Sequence, residues 1–368
     1  MLKLIQTLES EGHRVYLWTD HNYGKLSKYH INESLTRKRY SIKNPLNLIS
    51  YIRTKVIIER SKWIERLMAW TSNNNIKEIN QVFDHYLRSS LSIFSNLKPD
   101  FFYCWNPFCC HYGIAYDVAK ALSIKTKAIE WGYLPNTFIL DNFGTLAKSE
   151  VYINNPLPSF SNERLDQFQS EGEGIFENLK NQSLSLYNQK ASNLPIELIE
   201  RKLNQIRILV LAIDEVDAGA IPIEHKDRFG LLPFHKSSFD QAQAISKVNP
   251  EYAVIFKAHP SHNKYKENKQ IATNLWIVNG NPDELIDWAD VVFCSGSKME
   301  FSVLLRNKPL INFGAGLLYG KDCAYEIKKL SELDIVVSTA LKKQDFNLKI
   351  TSFKTFLGYL KNEYLFSY

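Results

Sequence analysis

The second half of the chain alternates short apolar runs with amphipathic segments, and this alternation restricts the fold more than any other feature. The runs of strand character lie at residues 206–213, 252–256, 275–278, 291–294 and 310–313, and helical patterns lie near 238–247, 282–289 and 298–307. Strands that alternate with helices form parallel sheets with helices on both faces. The second half is therefore predicted to be a parallel α/β unit.

The first half shows the same alternation less regularly. Strands are predicted at 13–18, 101–105 and 125–130, and helices at 2–11, 114–122 and in two blocks within 46–97. A doubly wound domain normally begins with a strand, and here that strand is missing before the first helix. Truncation of the chain, a start codon assigned inside the helix, and true loss of the strand are all open explanations.

Each half of the chain ends in a further segment. Residues 155–200 are polar and contain prolines, which indicates an irregular or helical connector. Residues 350–368 carry an apolar stripe typical of a packing helix. A chain of 368 residues suits two domains, which we place at residues 1–200 and 201–368.

Composition narrows the class of protein. With 45% hydrophobic and 23% charged residues the chain is globular, and its five cysteines contain no CxxC pair, which argues against a zinc or disulfide framework. No signal peptide and no apolar run of membrane-spanning length is visible, so a cytoplasmic location is expected. The net charge of +6 suits anionic donors or an anionic membrane surface. Nucleic acid is not an expected partner, because the basic residues are scattered and no binding motif occurs.

Polar, turn-forming residues follow two of the predicted strands. One strand ends in His259-Pro260 and the other in Ser295-Gly296-Ser297. Ligands of open α/β sheets bind at the carboxyl ends of parallel strands. Hydroxyl groups and the N–H groups of a helix N-terminus hold an anion, and an imidazole adds a hydrogen bond or a charge. The two segments predict a nucleotide-sugar site in which His259 contacts or protonates the donor phosphate.

Simpler interpretations of the same residues stay open. A His-Pro pair is common where a strand enters a loop, and Pro260 fixes such a turn. A serine before a helix is an ordinary N-cap. Lys257 lies on the same side of its strand as His259, which allows a donor contact, but a solvated surface charge is the preferred interpretation.

Carboxylates follow two further strands. Glu130, at the end of strand 125–130, faces the expected cleft as a general base toward an acceptor hydroxyl, or is a structural carboxylate. Asp141 suits a turn. The segment 214–217 contains three acidic residues that a metal could bind, but a solvated acidic loop is the preferred interpretation, with Asp217 lining the donor cleft. Gly314, in a glycine-containing turn after strand 310–313, leaves room for a ligand.

These segments resemble a known family, the bacterial capsule polysaccharide biosynthesis proteins that include Kdo (3-deoxy-D-manno-octulosonic acid) transferases. The first similar segment is 130–135 with Asp141 and Gly144, which resembles the family's Glu-x-Gly-Tyr-Leu-x-Pro block. The second is 256–260, which resembles its Lys-x-His-Pro. The third is 295–319, which resembles its series of Ser-Ser/Thr, Ala-Leu-Leu-x-Gly-Lys-Pro, Gly and Tyr. Two departures stand out. Gly296 separates the serines, and Ser302 stands where the family usually has Glu.

The resemblance implies a GT-B glycosyltransferase, an α/β protein with two Rossmann-like domains facing a cleft. It also implies a donor activated by cytidine monophosphate (CMP), an acidic Kdo-like sugar, and no metal, because the donor carries a single phosphate. The resemblance implies donor contacts for His259, Pro260, Ser295 and Ser297, and places Glu130 near the reacting centre. The full set of candidate roles is donor binding for Lys257, Pro260, Ser295, Gly296, Ser297, Asp217 and Gly314, catalysis for Glu130 and His259, and the acceptor side for Tyr133 and Asp141.

Two alternatives remain. One is a CDP-glycerol-type glycerophosphotransferase, in which His85 or His111 would be the catalytic histidine of the first half. The other is a non-catalytic assembly protein that keeps the same fold. The implied acceptor is a saccharide or a lipid-linked saccharide, and the basic charge suits peripheral docking at the inner membrane or in a capsule-assembly complex.

Overall fold

The computed structural model describes residues 2–19, 29–32, 59–180, 182–185, 189–200, 205–221, 232–261, 265 and 267–367. The predicted helical residues 46–58 lie outside these ranges. No helix within them combines the length and the apolar character that a bilayer crossing requires. All five cysteines are described and are free thiols.

The first half of the chain forms two sheets flanked by helices. Its elements are α1 (Leu2–Ser10), β1 (Tyr16–Thr19), β2 (Tyr29–Asn32), α2 (Arg60–Thr71), α3 (Ile76–Leu97), β3 (Phe101–Trp105), α4 (Cys110–Ala121), β4 (Lys125–Trp131), β5 (Thr137–Asp141), α5 (Glu150–Asn154), α6 (Asn162–Leu179) and α7 (Ile196–Ile199). β1 and β2 pair in parallel as a separate ribbon. β3 and β4 are parallel with α4 between them, and β5 is antiparallel to β4.

The break between the two helical blocks lies where the sequence places it. Ser72 ends α2 in the left-handed conformation, with a φ of 53°. The Asn75 side chain then accepts hydrogen bonds from the backbone N–H groups of Lys77 and Glu78, which caps α3. Predicted strand 101–105 is confirmed, whereas β5, which follows a tight turn after β4, is not predicted from the sequence.

The second half forms a seven-stranded sheet covered by helices. Its elements are β6 (Ile206–Leu211), α8 (Ser238–Val248), β7 (Tyr252–Lys257), β8 (Lys269–Ala272), β9 (Leu275–Ile277), α9 (Pro282–Trp288), β10 (Val291–Phe293), α10 (Met299–Leu305), β11 (Leu310–Asn312), β12 (Tyr325–Glu326), α11 (Leu333–Leu341), α12 (Phe346–Tyr359) and β13 (Leu365–Ser367), of which β13 lies outside this sheet. The strand order is β12-β11-β10-β6-β7-β9-β8, and only the β8–β9 pair is antiparallel.

Without β8, the strand order of this sheet is third-second-first-fourth-fifth-sixth along the chain, as in a Rossmann sheet. Every residue of β7 is buried, as its unbroken apolar run predicts. The α/β fold class expected from the sequence is thereby confirmed.

The apolar stripe of the C-terminal residues predicts a single helix, but these residues form three elements. α12 ends at Tyr359, residues 360–364 form a π-helical turn, and β13 then pairs antiparallel with β5 of the first sheet. The ring of Phe366 stacks on that of Phe138, with centroids 5.5 Å apart, which gives the final strand an apolar partner. The division of the chain at residues 200 and 201 stays a prediction, but residues 365–367 belong to the first sheet.

The predicted connector, residues 155–200, contains α6, which packs directly along α12. A Cβ atom on Gly172 would lie 1.7 Å from the carbonyl oxygen of Lys354, and one on Gly358 would lie 1.9 Å from that of Phe168. The two helix backbones therefore touch where both helices carry glycine. This contact fixes α6 against the C-terminal helix.

We expect Gly172→Ala to destabilise the protein by about 1–3 kcal/mol, because the added methyl group forces the α6 and α12 backbones apart. Gly174→Ala in the same helix is the matched control, since a Cβ there meets no atom within 4 Å. The control should be neutral or stabilising by up to about 1 kcal/mol, as alanine favours a helix. Urea unfolding measures both, and equal effects would contradict this packing.

Candidate functional site

The strand order of the second sheet reverses between β6 and β10, and a crevice at such a point is where open α/β sheets bind ligands. β6 leads into residues 212–220, its neighbour β7 into residues 258–261, and β10 into residues 294–298. These strand ends are the ones that the sequence singles out. The fold therefore brings His259 and the Ser-Gly-Ser segment to one edge of the sheet.

His259 belongs to a hydrogen-bonded group that joins the ends of β6 and β7. The hydroxyl of Ser261 donates to Oδ2 of Asp214 at 2.5 Å, and its oxygen lies 2.8 Å from Nδ1 of His259. Nδ1 of His259 is 3.7 Å from the same carboxylate oxygen. Pro260 is exposed at the turn between them. These contacts fix the half-buried imidazole, and sequence reasoning missed Ser261 although it directly follows the His-Pro pair.

The acidic segment after β6 is not the solvated loop that the sequence predicts. Oδ1 of Asp214 accepts the N–H groups of Val216 and Asp217 at 3.1 and 3.0 Å, and Oε1 of Glu215 accepts the N–H of Ser238 at 2.7 Å. The carboxylates are held inward because they close this turn and cap α8. Burial, together with neighbouring Asp214, raises the pKa of Asp217 to about 6. Within the described ranges, no group of three or more His, Cys, Asp and Glu side chains is arranged to hold a metal ion.

Ser295 joins two strand ends. Its Oγ accepts the backbone N–H groups of Phe313 at 2.8 Å and Gly314 at 3.2 Å, which fastens the residues after β10 to those after β11. Ser295 and Gly314 are both buried. The serine oxygen predicted to bind phosphate is thus engaged inside the protein, and Gly314 takes part through its backbone.

The helix predicted to open at Lys298 begins at Met299, preceded by a turn in which Gly296 has a φ of 66°. Oγ of Ser297 accepts the N–H of Met299 at 3.3 Å, a local cap at the start of α10. The left-handed conformation of Gly296 is one that glycine adopts without strain. The glycine that departs from the family pattern is therefore required by this turn.

Glu300 is the residue at this turn that sequence reasoning missed. Its side chain is only 1% exposed, and its Oε1 accepts the backbone N–H of Ser297 at 3.2 Å. A Cβ on Gly316 would lie 2.8 Å from that oxygen, so glycine leaves room for the acid. Burial raises the pKa of Glu300 to about 8, although hydrogen bonds from Ser297 and Gly296 oppose the shift. The available signal was the Ser-x-x-Glu spacing of a capping box.

Glu130 stands where the first sheet meets the second. Its Oε1 accepts the N–H of Trp131 at 2.9 Å, and burial followed by the nearby charge of Asp217 raises its pKa to about 7. Asn106 makes the connection, because its backbone N–H bonds to the Ile129 carbonyl and its side-chain amide donates to the Asp217 carbonyl at 3.0 Å. The end of β4 therefore lies close to the acidic turn that follows β6.

Tyr133 is buried between the two sheets and does not line an open acceptor surface. Its ring packs against that of Phe301 on α10, with centroids 4.9 Å apart. Burial, with Glu300 and Glu130 nearby, raises the pKa of its hydroxyl far above the usual value. The aromatic contact with α10 explains the position of Tyr133 as a link between the two halves.

Asp141 has the turn role that the sequence left open and is not exposed toward an acceptor. Oδ1 accepts the N–H groups of Phe143 and Gly144 at 2.7 and 3.0 Å, and Oδ2 accepts the N–H of Glu150 and the hydroxyl of Tyr364, at 2.7 and 2.8 Å. Four donors surround a carboxylate that is 1% exposed. Asp141 therefore ties together β5, α5 and the C-terminal turn.

Lys257 is buried, so the interpretation as a solvated surface charge is wrong. Its Nζ donates to Oε1 of Gln189 at 2.9 Å and to the Ala258 carbonyl at 3.3 Å. Loss of hydration lowers the pKa of Lys257 to about 8. The end of a fully buried central strand leaves this side chain no route to solvent, and it binds the connector instead.

The two candidates for the catalytic histidine of a glycerophosphotransferase lie among aromatic rings. The ring of His111 lies 5.4, 5.5 and 3.9 Å from those of Trp70, Tyr86 and Tyr112, and that of His85 lies 5.6 Å from Tyr86. Both belong to the helical layer formed by α3 and α4. Such packing favours a structural role for these histidines.

No protein-family model and no curated protein matches the sequence. Solved structures of similar fold share little sequence with this chain. Among them are two Thermosulfurimonas dismutans KpsC enzymes: the β-Kdo 2,7 transferase has 15% identity and a TM-score of 0.43 over 69% of this chain and 80% of its own, and the β-Kdo 2,4 transferase has 18% identity and a TM-score of 0.45 over 69% and 78%. Spinosyn rhamnosyltransferase SpnG complexed with spinosyn aglycone has 12% identity and a TM-score of 0.35 over 98% of this chain and 94% of its own. Because these identities and scores are low, the function proposed below rests on the residues of this chain.

We expect Glu300→Gln to flatten the pH dependence of stability. A carboxyl group with a folded-state pKa of about 8, against an ordinary 4.5, binds its proton more tightly in the folded state. Between those pH values the free energy of unfolding falls as pH rises, and the glutamine variant loses this contribution. Urea unfolding at pH 5, 7 and 8.5 measures the slope. Exposed Glu65→Gln is the control, and an unchanged slope in Glu300→Gln would contradict this assignment.

Proposed function

We propose that this protein is a GT-B-type glycosyltransferase of bacterial capsule or surface polysaccharide biosynthesis. It transfers an acidic, Kdo-like sugar from a CMP-activated donor to a saccharide or lipid-linked acceptor, in the cytoplasm and peripherally at the inner membrane. The observation that carries the proposal is the proximity of Glu130, from the first sheet, to Asp217 in the turn that follows β6. The same turn contacts His259 through Asp214.

The donor phosphate binds near His259 at the reversal point of the second sheet. As the bond between the anomeric carbon and the phosphate oxygen breaks, negative charge develops on the departing CMP. The imidazole donates a hydrogen bond or a proton to that oxygen, and Asp214 with Ser261 holds the ring in place. A single leaving phosphate carries less charge than a diphosphate, so the proposal includes no metal.

Glu130 takes the acceptor role. With a pKa of about 7, its carboxylate is an effective base near neutral pH for the proton of the attacking hydroxyl. The proton leaves the acceptor oxygen as that oxygen bonds to the anomeric carbon. Asp217 beside it supports the same role, because its negative charge favours proton uptake by Glu130.

Glu300 determines how the Ser-Gly-Ser turn can take part. Its pKa of about 8 keeps the carboxyl group largely neutral at pH 7, so it does not repel a nearby donor phosphate. The N–H of Ser297 is shared with this acid. A donor phosphate at this turn therefore contacts polar groups other than the Ser295 hydroxyl oxygen and the Ser297 N–H, which already have partners within the protein.

We expect CMP to stabilise the protein selectively in a panel of CMP, CDP, UMP, UDP and GDP. A ligand that binds only the folded state raises the melting temperature by mass action. His259→Ala should abolish the CMP shift, while exposed His13→Ala should keep it. An unchanged shift in His259→Ala would remove His259 from the site, and a preference for UDP or GDP would overturn the CMP donor.

We expect Glu130→Gln to lower CMP release from CMP-Kdo in the presence of acceptor by about 10²-fold or more, with CMP binding retained. Because the base acts when deprotonated, the wild-type rate should rise with pH and level off above pH 7. Glu65→Gln should match the wild type in both respects. Full turnover by Glu130→Gln would exclude Glu130 as the base.

A non-catalytic GT-B-fold assembly protein is the second candidate, because Glu300 already occupies an N–H group of the anion-binding turn. CMP binding without release of CMP from any CMP-sugar would favour it. The CDP-glycerol alternative predicts stabilisation by CDP-glycerol and loss of activity in His111→Ala. The aromatic packing of His111 speaks against that alternative.

A further inference from the structure

One face of the first sheet carries aromatic and basic side chains in register across its four strands. Partners that face each other across strands lie on the same side of a sheet, as do residues two apart along a strand. The registers Phe101–Lys125, Tyr103–Lys127, Trp131–Phe138 and Phe138–Phe366 define this side. We call it the aromatic face; its members are Phe101, Tyr103, Trp105, Lys125, Lys127, Ile129, Trp131, Phe138, Leu140 and Phe366, of which Ile129 is buried at the centre.

Among the described residues, helices cover this face less completely than the opposite one. Phe101 is 45% exposed, Trp131 46% and Phe366 47%. On the opposite side, Cys104 and Ala128 are fully buried, and α3 packs on the sheet through Phe94. The aromatic rings nevertheless contact each other in pairs, since the centroids of Trp105 and Trp131 are 4.9 Å apart. A connected aromatic surface of this kind marks an interaction site.

The lysines indicate which partner fits. Lys125 is exposed with its Nζ 5.1 Å from the centre of the Phe101 ring, and Lys127 lies two residues further along the same strand. The strand positions that share this side carry no acidic residue, although burial and then the nearby charge of Glu11, which follows α1, raise the pKa of the Tyr103 hydroxyl. Tryptophan and tyrosine favour the boundary between lipid and water, and lysines beside them are attracted to anionic headgroups. A flat surface with both properties is complementary to an anionic bilayer.

We propose that the aromatic face binds the surface of an anionic membrane, with its rings at the headgroup level and Lys125 and Lys127 against the phosphates. This binding is independent of the donor site. It rests on the proposed function in one respect, the use of a lipid-linked acceptor. Trp131 and Glu130 are consecutive in β4, so their side chains point to opposite faces, but a membrane on the aromatic face lies at the same strand end as the base.

The test is co-sedimentation of the full chain with vesicles of phosphatidylcholine alone or mixed with phosphatidylglycerol. Wild-type protein should bind the mixed vesicles, and less so at high salt. Lys125→Glu with Lys127→Glu, and separately Trp131→Ala with Phe366→Ala, should each weaken binding by about tenfold or more. The control for the lysine variant is Lys342→Glu. The control for the aromatic variant combines Ile335→Ala with Leu348→Ala; Ile335 on α11 is 68% exposed and Leu348 on α12 is 65% exposed. They should bind as the wild type does.

Circular dichroism and urea unfolding check that each variant is folded, so loss of vesicle binding with unchanged stability supports the membrane surface. Absence of wild-type binding to the mixed vesicles, or equal binding by face variants and controls, overturns the proposal. If the face variants lose binding to a soluble acidic oligosaccharide but bind vesicles as the wild type does, the proposal is also overturned and the face is assigned to saccharide. None of these outcomes depends on whether the protein transfers sugar.

Discussion

The burial of β6, β7 and β10 between helices is the constraint on which the rest of the structure depends. These strands are apolar almost throughout, so the hydrophobic effect places them at the centre of a parallel sheet. Their order then fixes where the connections leave, and the reversal between β6 and β10 opens one edge to a ligand. The polar residues that follow each strand meet there because the strands are parallel. His259, Asp217 and the Ser-Gly-Ser turn are neighbours for this reason.

Three acids near that edge share a physical property that sets their chemistry. Burial raises the pKa values of Asp217, Glu130 and Glu300 to about 6, 7 and 8. The order follows their burial, since a more buried carboxyl group loses more hydration of its charged form, and the backbone N–H groups that face Glu130 and Glu300 oppose the shift only in part. Near neutral pH these groups therefore differ in charge although they are the same functional group. A site that must take up one proton and tolerate a phosphate benefits from that difference.

The two halves are joined by contacts that come from distant parts of the chain. Tyr364 donates to Asp141, β13 pairs with β5, and α12 packs against α6 through glycine contacts. Asn106 binds the Asp217 carbonyl, which ties the first sheet to the acidic turn. These contacts hold the end of β4 opposite the end of β6, and so give Glu130 its place. The aromatic face lies on the side of the first sheet that these contacts leave uncovered.

Local sequence determined the elements whose signals are local: the apolar strands of the second half, the cap at Asn75, and polar residues at the ends of β7 and β10. It also pointed to Glu130 and His259, because strand ends in an open sheet share an edge. Tertiary structure alone decided which of these side chains stay available. Lys257, Asp141 and Ser295 are polar residues that the sequence names as candidates, yet each is bonded to a partner 18 or more residues away. Ser261 and Glu300 became visible as site residues only through their neighbours, and the C-terminal strand exists because β5 offers an edge. Long-range pairing depends on which surfaces meet after folding, and the periodicity of the sequence does not indicate which surfaces those are.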